Sequence, residues 1–419
     1  MQLNNKNITR LISLASCNLL LSPTIQAESE WDVDTAILFY TETDRVSAVE
    51  PVTSMSKDLG DDEILSFKLV IDALTGASAN GSVPSSQVQT LTTSSGTGTF
   101  TTKANETPLD DTFRDTRVAF SMNWEKPIDS NNRRTLGFNV SREFDFTSLA
   151  GNVGWQHDIN QKNTSFTVAA NFELDEIAPV GDKPIELSTL GPPHEGDSTD
   201  TRNQVDLIFG VTQIINRSSL FQVNYSYSKT DGYLTDPYKV VSVVDTAPGA
   251  NLGEPLFQLH EKRPDSRDRQ SVFTRYKKMF DSGNMFDISY RFMTDDWGIE
   301  SHTIDTHYRW QLNGGYYIQP HLRLYQQGAA DFYRYFLLDS EVVPSNVSAD
   351  YRLGDLDTQT VGIKYGRSDD KTNDWSVRLE YYLQSGESSP DEAIGQLRKQ
   401  NLFPDVEAWI LQFNYSFKW

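Results

Sequence analysis

Thiol chemistry is all but missing from this chain, whose 419 residues include one cysteine, Cys17. Cys17 lies in an N-terminal segment that runs from Lys6 and Arg10 through an apolar stretch, residues 11–21, to Pro23 and the small residue Ala27. That order is the order of a secretory signal peptide, so residues 1–27 are expected to be removed and the mature chain, 28–419, to begin at Glu28. A mature chain without cysteine excludes disulfides and thiol catalysis. Leu14-Ala15-Ser16-Cys17 has the outline of a lipoprotein box, but the apolar run before Cys17 is short and continues past it through Leu19-Leu20-Leu21.

Long apolar runs are missing as well. No other stretch reaches the roughly 18–20 apolar residues that a membrane helix requires. Strands that alternate lipid-facing and lumen-facing residues average to neutral hydropathy, so this absence does not exclude a barrel. Basic charge is scarce: 37 Lys and Arg stand against 58 Asp and Glu, a net charge of −21, which argues against a nucleic-acid partner. Nucleophile elbows, phosphate loops and dinucleotide fingerprints are also absent, so neither enzymatic activity nor a cofactor is expected.

What the chain does have is alternation. The last stretch, 406–419, puts Trp409, Leu411, Phe413, Tyr415, Phe417 and Trp419 on one face of a strand and Ile410, Gln412, Asn414, Ser416 and Lys418 on the other. An aromatic face that ends the chain suits a strand with lipid on one side and water on the other. Phe417 and Trp419 then have the form of the insertion signal read by the bacterial barrel-assembly machinery. The same pattern recurs upstream, as in Val118, Phe120, Met122 and Trp124 or Phe166, Val168, Ala170 and Phe172, and gives sixteen strands. Every second connection is a tight turn, at 59–62, 129–132, 159–163, 216–218, 281–284, 313–315 and 369–374. The long connections, 75–113, 175–201, 232–266, 328–355 and 387–405, all fall between them. Short turns on one side and long loops on the other predict an all-β fold, a single antiparallel transmembrane barrel in the bacterial outer membrane.

If the apolar set faces lipid, the alternate residues line a lumen. The candidate pore-lining residues are Asp72, Asp115, Arg117, Arg275, Arg291, Asp305, His307, Arg309, His321 and Arg323, and their mixed signs predict a wet, charged interior. Sixteen strands enclose an aqueous lumen unless loops fold inward, and five loops here are long enough to do so. The competing reading is that the charges pair across the barrel and close it.

The histidines carry less. His307 and His321, with Asp305 nearby, resemble a ligand cluster, but the neighbouring Arg309 and Arg323 disfavour a cation, and no metal site is expected. Ser301, His302 and Asp305 cannot form a local catalytic triad, because alternation sends Ser301 and His302 to opposite faces. Trp297, in Asp295-Asp296-Trp297-Gly298, is expected to anchor at the lipid interface. The five long loops hold 24 acidic and 9 basic residues. They suit a solvated anionic face bridged to lipopolysaccharide by divalent ions better than a calcium site around Asp175, Glu176, Asp182, Glu186, Glu195, Asp197 and Asp200, since no EF-hand spacing occurs.

Several short polar segments carry a resemblance. They are Asp72-Ala73-Leu74-Thr75-Gly76-Ala77-Ser78-Ala79-Asn80-Gly81, Phe113-Arg114-Asp115-Thr116-Arg117, Asp295-Asp296-Trp297-Gly298 with Ser301-His302-Thr303, Tyr325-Gln326-Gln327 with Ala330-Asp331-Phe332-Tyr333, and Ser348-Ala349-Asp350-Tyr351-Arg352-Leu353-Gly354. Through them the mature chain resembles a bacterial family known as domain of unknown function 3570. The resemblance implies an outer-membrane barrel in the company of envelope redox and flavin-attachment proteins, with no assigned activity to carry over. The expected function is a porin-like channel for small polar solutes, and the alternatives are a closed barrel acting as scaffold or receptor and an enzyme embedded in the barrel. The expected partners are outer-membrane lipid, lipopolysaccharide, the assembly machinery and a small polar solute.

Overall fold

The alternating segments are realised as one closed wall. The computed structural model describes residues 31–93, 98–190, 198–368 and 373–419, with the backbone alone for 92 and 111–113. Sixteen antiparallel strands follow each other around the barrel in chain order. They are β1 (Asp32–Glu42), β2 (Val46–Gly60), β3 (Glu63–Ala79), β4 (Leu109–Pro127), β5 (Asn132–Arg142), β6 (Phe146–Ile159), β7 (Thr164–Ile177) and β8 (Asp200–Asn216), then β9 (Ser219–Gly232), β10 (Ser266–Met279), β11 (Met285–Asp295), β12 (Glu300–Gln311), β13 (Tyr316–Gln327), β14 (Leu356–Arg367), β15 (Asp374–Gly386) and β16 (Val406–Lys418). The leader segment 1–27 and positions 369–372 of the turn expected at 369–374 lie outside the described residues.

The aromatic C-terminal strand closes the wall. β16 pairs with β1 in the register Val33↔Phe417 to Thr41↔Trp409. Beyond it, Trp419 and Trp31 exchange backbone hydrogen bonds, N–H to O, of 2.8 and 2.6 Å. Closure leaves no sheet edge with unpaired backbone groups, a condition for crossing a membrane with strands.

Alternation puts apolar side chains outside. Val118, Phe138, Leu149, Phe172, Phe209, Ile304, Leu322, Val361, Leu379 and Phe413 are all exposed on the outer surface. An apolar band around a whole barrel far exceeds the patch of a few hundred Å² that a soluble monomer shows, and lipid is the solvent that accommodates it. Aromatic pairs gather towards the tight-turn end, among them Tyr308 on Trp310 (5.0 Å) and Tyr365 on Trp375 (5.7 Å). Lys126 and Arg134 flank the Trp124 ring there, as suits a water–lipid boundary. The turns are set by local chemistry. Asp61 and Asp62 both take positive φ (52° and 59°), which matches the twist of a two-residue hairpin loop.

The loop expected at 75–113 is shorter than its Ser/Thr/Gly composition suggested. The ladder between β3 and β4 continues through Gly76↔Phe113 to Ala79↔Leu109, across a bulge between Gly76 and Ser78. Within that loop Gln89–Thr92 pairs with Thr99–Thr102.

The long loops build a second core. Val240–Val244 pairs antiparallel with Pro255–His260 and parallel with Leu337–Leu338. Around this small sheet Val240, Val241, Val244, Val347 and Phe403 are completely buried. The contributing loops leave the rim far apart: the loop after β3 and the loop after β9 are six strands from each other. They nevertheless meet, with Val240 N–H donating to Asn80 O at 2.8 Å. Leu187 N–H donates to His260 O (3.1 Å), Lys262 N–H to Val347 O (2.9 Å) and Gln396 N–H to Leu252 O (2.8 Å). Loops from separate sides of a ring roughly 30 Å across, judged from strand spacing and tilt, share a core only by crossing its mouth. We call this assembly the cap.

Candidate functional site

The cap is locked by buried charge. Arg263 stands 2.6 Å from Glu261 and 2.9 Å from Asp350, and Arg352 binds both Asp350 and Asp236. Burial works against the Asp350 carboxylate, but the charges of Arg352, Lys239 and Arg263 outweigh it and hold its pKa well below the usual range. Burial dominates at Glu261 and raises its pKa, with Arg263 opposing. The Ser348–Gly354 segment quoted for the family resemblance therefore has a physical role: Ser348, Asp350 and Arg352 tie the loop after β13 to the loop after β9.

Trp297 belongs to the cap and is not a lipid anchor. It is 4% exposed and packs edge-on against Phe332 at 5.1 Å, while its indole N–H donates to Ser266 O at 2.8 Å. The neighbouring Gly298 has φ +86°, and a Cβ there would collide with the Asp331 carboxylate, which explains why glycine follows the tryptophan. Three of the acids weighed as calcium ligands are engaged separately. Asp175 pairs with Arg202 (2.7 Å), Asp200 with Lys183 (2.5 Å) and Glu186 with Lys262 (2.8 Å), while Glu195 and Asp197 lie outside the described residues, as does His194.

Beneath the cap, all ten candidate pore-lining residues alternate with the exposed apolar set and so face inward. The structure gathers them into separate groups. Asp72 sits directly across from Arg117, at 3.5 Å. Asp115, further out, approaches Glu143 in the short outer turn. Burial together with the Asp115 carboxylate pushes the Glu143 pKa up to about 7. Arg275 and Lys277 both reach Asp287, Arg275 Nε–H donating to Oδ1 at 2.8 Å and Lys277 Nζ standing 3.2 Å away. Arg291 lies over Phe273 at 5.7 Å and Arg309 over Tyr317 at 3.7 Å. Asp305, His307, His321 and Arg323 form one cluster, joined by Glu380 and Arg378. Alternation puts Glu380 on the lumen side, but its contact with His321 skips a strand and has no local signal in the sequence.

The charges divide the lumen. Seven basic residues face inward on the middle of β10–β15 (Arg275, Lys277, Arg291, Arg309, Arg323, Lys364, Arg378), against Asp287, Asp305 and Glu380. Across from them β2–β8 present Glu50, Asp72, Asp115, Glu173 and Asp206, with Lys68 and Arg117. Among those acidic groups Asn123, Asn139, Asn152 and Asn171 line the wall with amides, and Asn224 on β9 lies between the two groups. This part of the lumen is not packed solid: the inward-facing Ile208 is 40% exposed and the Arg323 side chain 50%. Near the tight-turn end a cavity of about 320 Å³ lies among Asp34, Arg309, Tyr317, Lys364 and Asn414. His302, on the outer face, hydrogen-bonds Tyr290 at 2.7 Å, away from Ser301.

No curated protein matches the chain. Among solved structures, the chain is similar to a mutant of the ferric enterobactin receptor of Pseudomonas aeruginosa. Identity is 9% over 87% of this chain and 54% of that one, with a TM-score of 0.42, so the chain spans about half the receptor's length. It is similar to OccAB3 of Acinetobacter baumannii (8% identity, 94% of this chain, 100% of that one, TM-score 0.41). It is also similar to the CymD monoaromatic hydrocarbon channel (8% identity, 94% of this chain, 89% of that one, TM-score 0.40). The family model described as "Protein of unknown function (DUF3570)" matches residues 9–417, almost the whole chain, and the chain belongs to that family.

Proposed function

We propose that this outer-membrane-type barrel is a porin-like channel for small polar solutes, with the cap as its entrance filter. The observation that carries this reading is the divided lumen. A basic strip on β10–β15 faces acidic groups on β2–β8 across the lumen, which sets up a field across the passage. Such a field orients solutes that carry both charges and admits them in preference to apolar ones of the same size. The ion pairs lie along the wall and not across the lumen: Arg275, Lys277 and Asp287 sit on adjacent strands, as do Asp72 and Arg117. They shape the wall without bridging it.

In this reading residues 1–27 direct export, Phe417 and Trp419 are the signal for the assembly machinery, and the acidic loop surface meets lipopolysaccharide. The barrel acts by passage, without catalysis. A second reading, a closed barrel serving as scaffold or receptor for a redox-linked envelope system, is favoured by the cap's buried core. Liposomes containing the refolded protein separate the two. Under osmotic challenge with small zwitterions and neutral sugars of matched size, a channel produces swelling that is faster for zwitterions. Arg275→Gln, Arg291→Gln and Arg323→Gln together should erase that preference. Liposomes with folded protein that do not swell for any solute would refute the channel.

A further inference from the structure

We propose that Asp305, His307 and His321 form a site for a borderline divalent cation of the zinc type on the lumen wall. The inference does not rest on the channel reading. One ligand atom from each residue lies within 4.8 Å of the others, close enough for one ion to draw them together. Two imidazoles and a carboxylate are the donors that Zn²⁺ and its neighbours in the transition series prefer, and three protein ligands leave a position open to lumen water.

Three features make this more than a chance meeting of side chains. The first is orientation. His321 is aimed by Glu380, whose Oε1 lies 2.7 Å from Nδ1, so that Nε2 faces Asp305 at 3.2 Å. A carboxylate behind a histidine is the outer-shell arrangement that fixes the tautomer of a metal-bound imidazole. The second is the space that permits it. His321 on β13 and Glu380 on β15 are separated by β14, where the position between them is Gly362. A Cβ at Gly362 would fall on the Glu380 side chain, so any larger residue removes the contact. The third is His307. Its ring centroid lies 4.1 Å from that of His321 and its Nε2 3.3 Å from Asp305, yet its Nδ1 is buried without a hydrogen-bond partner. A purely structural histidine would pair both ring nitrogens, and here one is left over.

The arginines that argued against a cation are placed so that they do not occupy the site. Arg309 lies over the Tyr317 ring at 3.7 Å and Arg323 reaches Asp305 only at 4.0 Å with its side chain half exposed; Arg378, also nearby, is engaged by Gln412 and Glu380. Arg275 and Lys277 are satisfied by Asp287. Coordination would release the His321 Nε2 proton to solvent, replace the His321–Asp305 hydrogen bond with two metal–ligand bonds and leave the Glu380 contact intact.

The test uses Zn²⁺ alone and the full-length barrel refolded in detergent, with heat-modifiable migration as the check of folding. Isothermal titration should give one site per chain. His307→Ala and His321→Ala should each abolish it, Glu380→Gln should weaken it about 10- to 100-fold, and His302→Ala, on the outer face, should leave it unchanged. X-ray absorption at the zinc edge should show two imidazoles at about 2.0–2.1 Å. Failure of the folded wild-type barrel to bind stoichiometric Zn²⁺, or a zinc spectrum without imidazole, would overturn the proposal even if a histidine variant did not fold. Binding unchanged in folded His307→Ala would overturn it as well.

Discussion

Replacing Arg263 by alanine should open the cap while leaving the barrel standing. The Arg263 side chain is 11% exposed, and its two partners are more buried still, Glu261 at 0% and Asp350 at 3%. Removing one partner from a buried ion pair strands the other's charge away from water and costs about 3–5 kcal/mol. The loss falls on the junction between two loops, where Lys262 and Val347 exchange backbone hydrogen bonds of 2.9 and 2.8 Å. It does not fall on the wall, whose ladders run independently around the ring. Since 1.4 kcal/mol is a factor of ten, the opening equilibrium of the loops should shift by about two to nearly four orders of magnitude. Limited proteolysis of the refolded barrel, read by mass spectrometry, measures this directly. Cuts should appear within 233–265 and 328–355 in Arg263→Ala under conditions where the wild type resists, with the heat-modifiability midpoint unchanged. Equal resistance of those loops in a folded Arg263→Ala barrel would refute the idea that buried charge locks the cap.

Other consequences follow from the same geometry. Leu379 faces lipid and its alternating neighbour Glu380 faces the lumen, so Leu379→Arg should destabilise the barrel by about 2–4 kcal/mol in lipid unfolding titrations, whereas arginine at the lumen-facing Thr360 should cost far less. Trp297→Ala should loosen the same loops as Arg263→Ala, by about 3–5 kcal/mol, since the indole fills the cap and binds Ser266; unaltered loop proteolysis would contradict its assignment to the cap. Glu143, with a pKa raised to about 7, binds its proton more tightly when folded than when unfolded. Its contribution favours the folded state below the ordinary glutamate range and is lost as pH rises through 7. Glu143→Gln should therefore flatten the fall in stability between about pH 4.5 and 7, and an unchanged slope would place the titrating group elsewhere.

Much of this was legible in the residues. A period of two is short-range information, so the strands declared themselves, and Asp61-Asp62 or Asn313-Gly314-Gly315 marked turns that the structure keeps. The parity of short and long connections then fixed which end each loop belongs to. Loop interiors were not legible. Val240–Val244 reads locally as one more strand or as an apolar loop, and only its contact with Asn80, 160 positions away in sequence, makes it the centre of a cap. Trp297 was misread for the same reason: an aromatic at a strand end fits an interfacial girdle until Phe332 is seen against it. The His321–Glu380 contact was hidden because alternation predicts which face a side chain takes, and not that Gly362 leaves a gap across the strand between them.

Single-channel recording in a planar lipid bilayer asks whether water and ions cross this barrel beneath the cap. Wild-type protein in a salt gradient should give stepwise open levels with a reversal potential displaced from zero. Neutralising Arg275, Arg291 and Arg323 should move that potential towards cation preference, as expected if the β10–β15 strip sets selectivity. A bilayer that stays silent while holding folded, heat-modifiable protein, both for the wild type and for the cap-opened Arg263→Ala barrel, would contradict the account and leave the closed scaffold in its place.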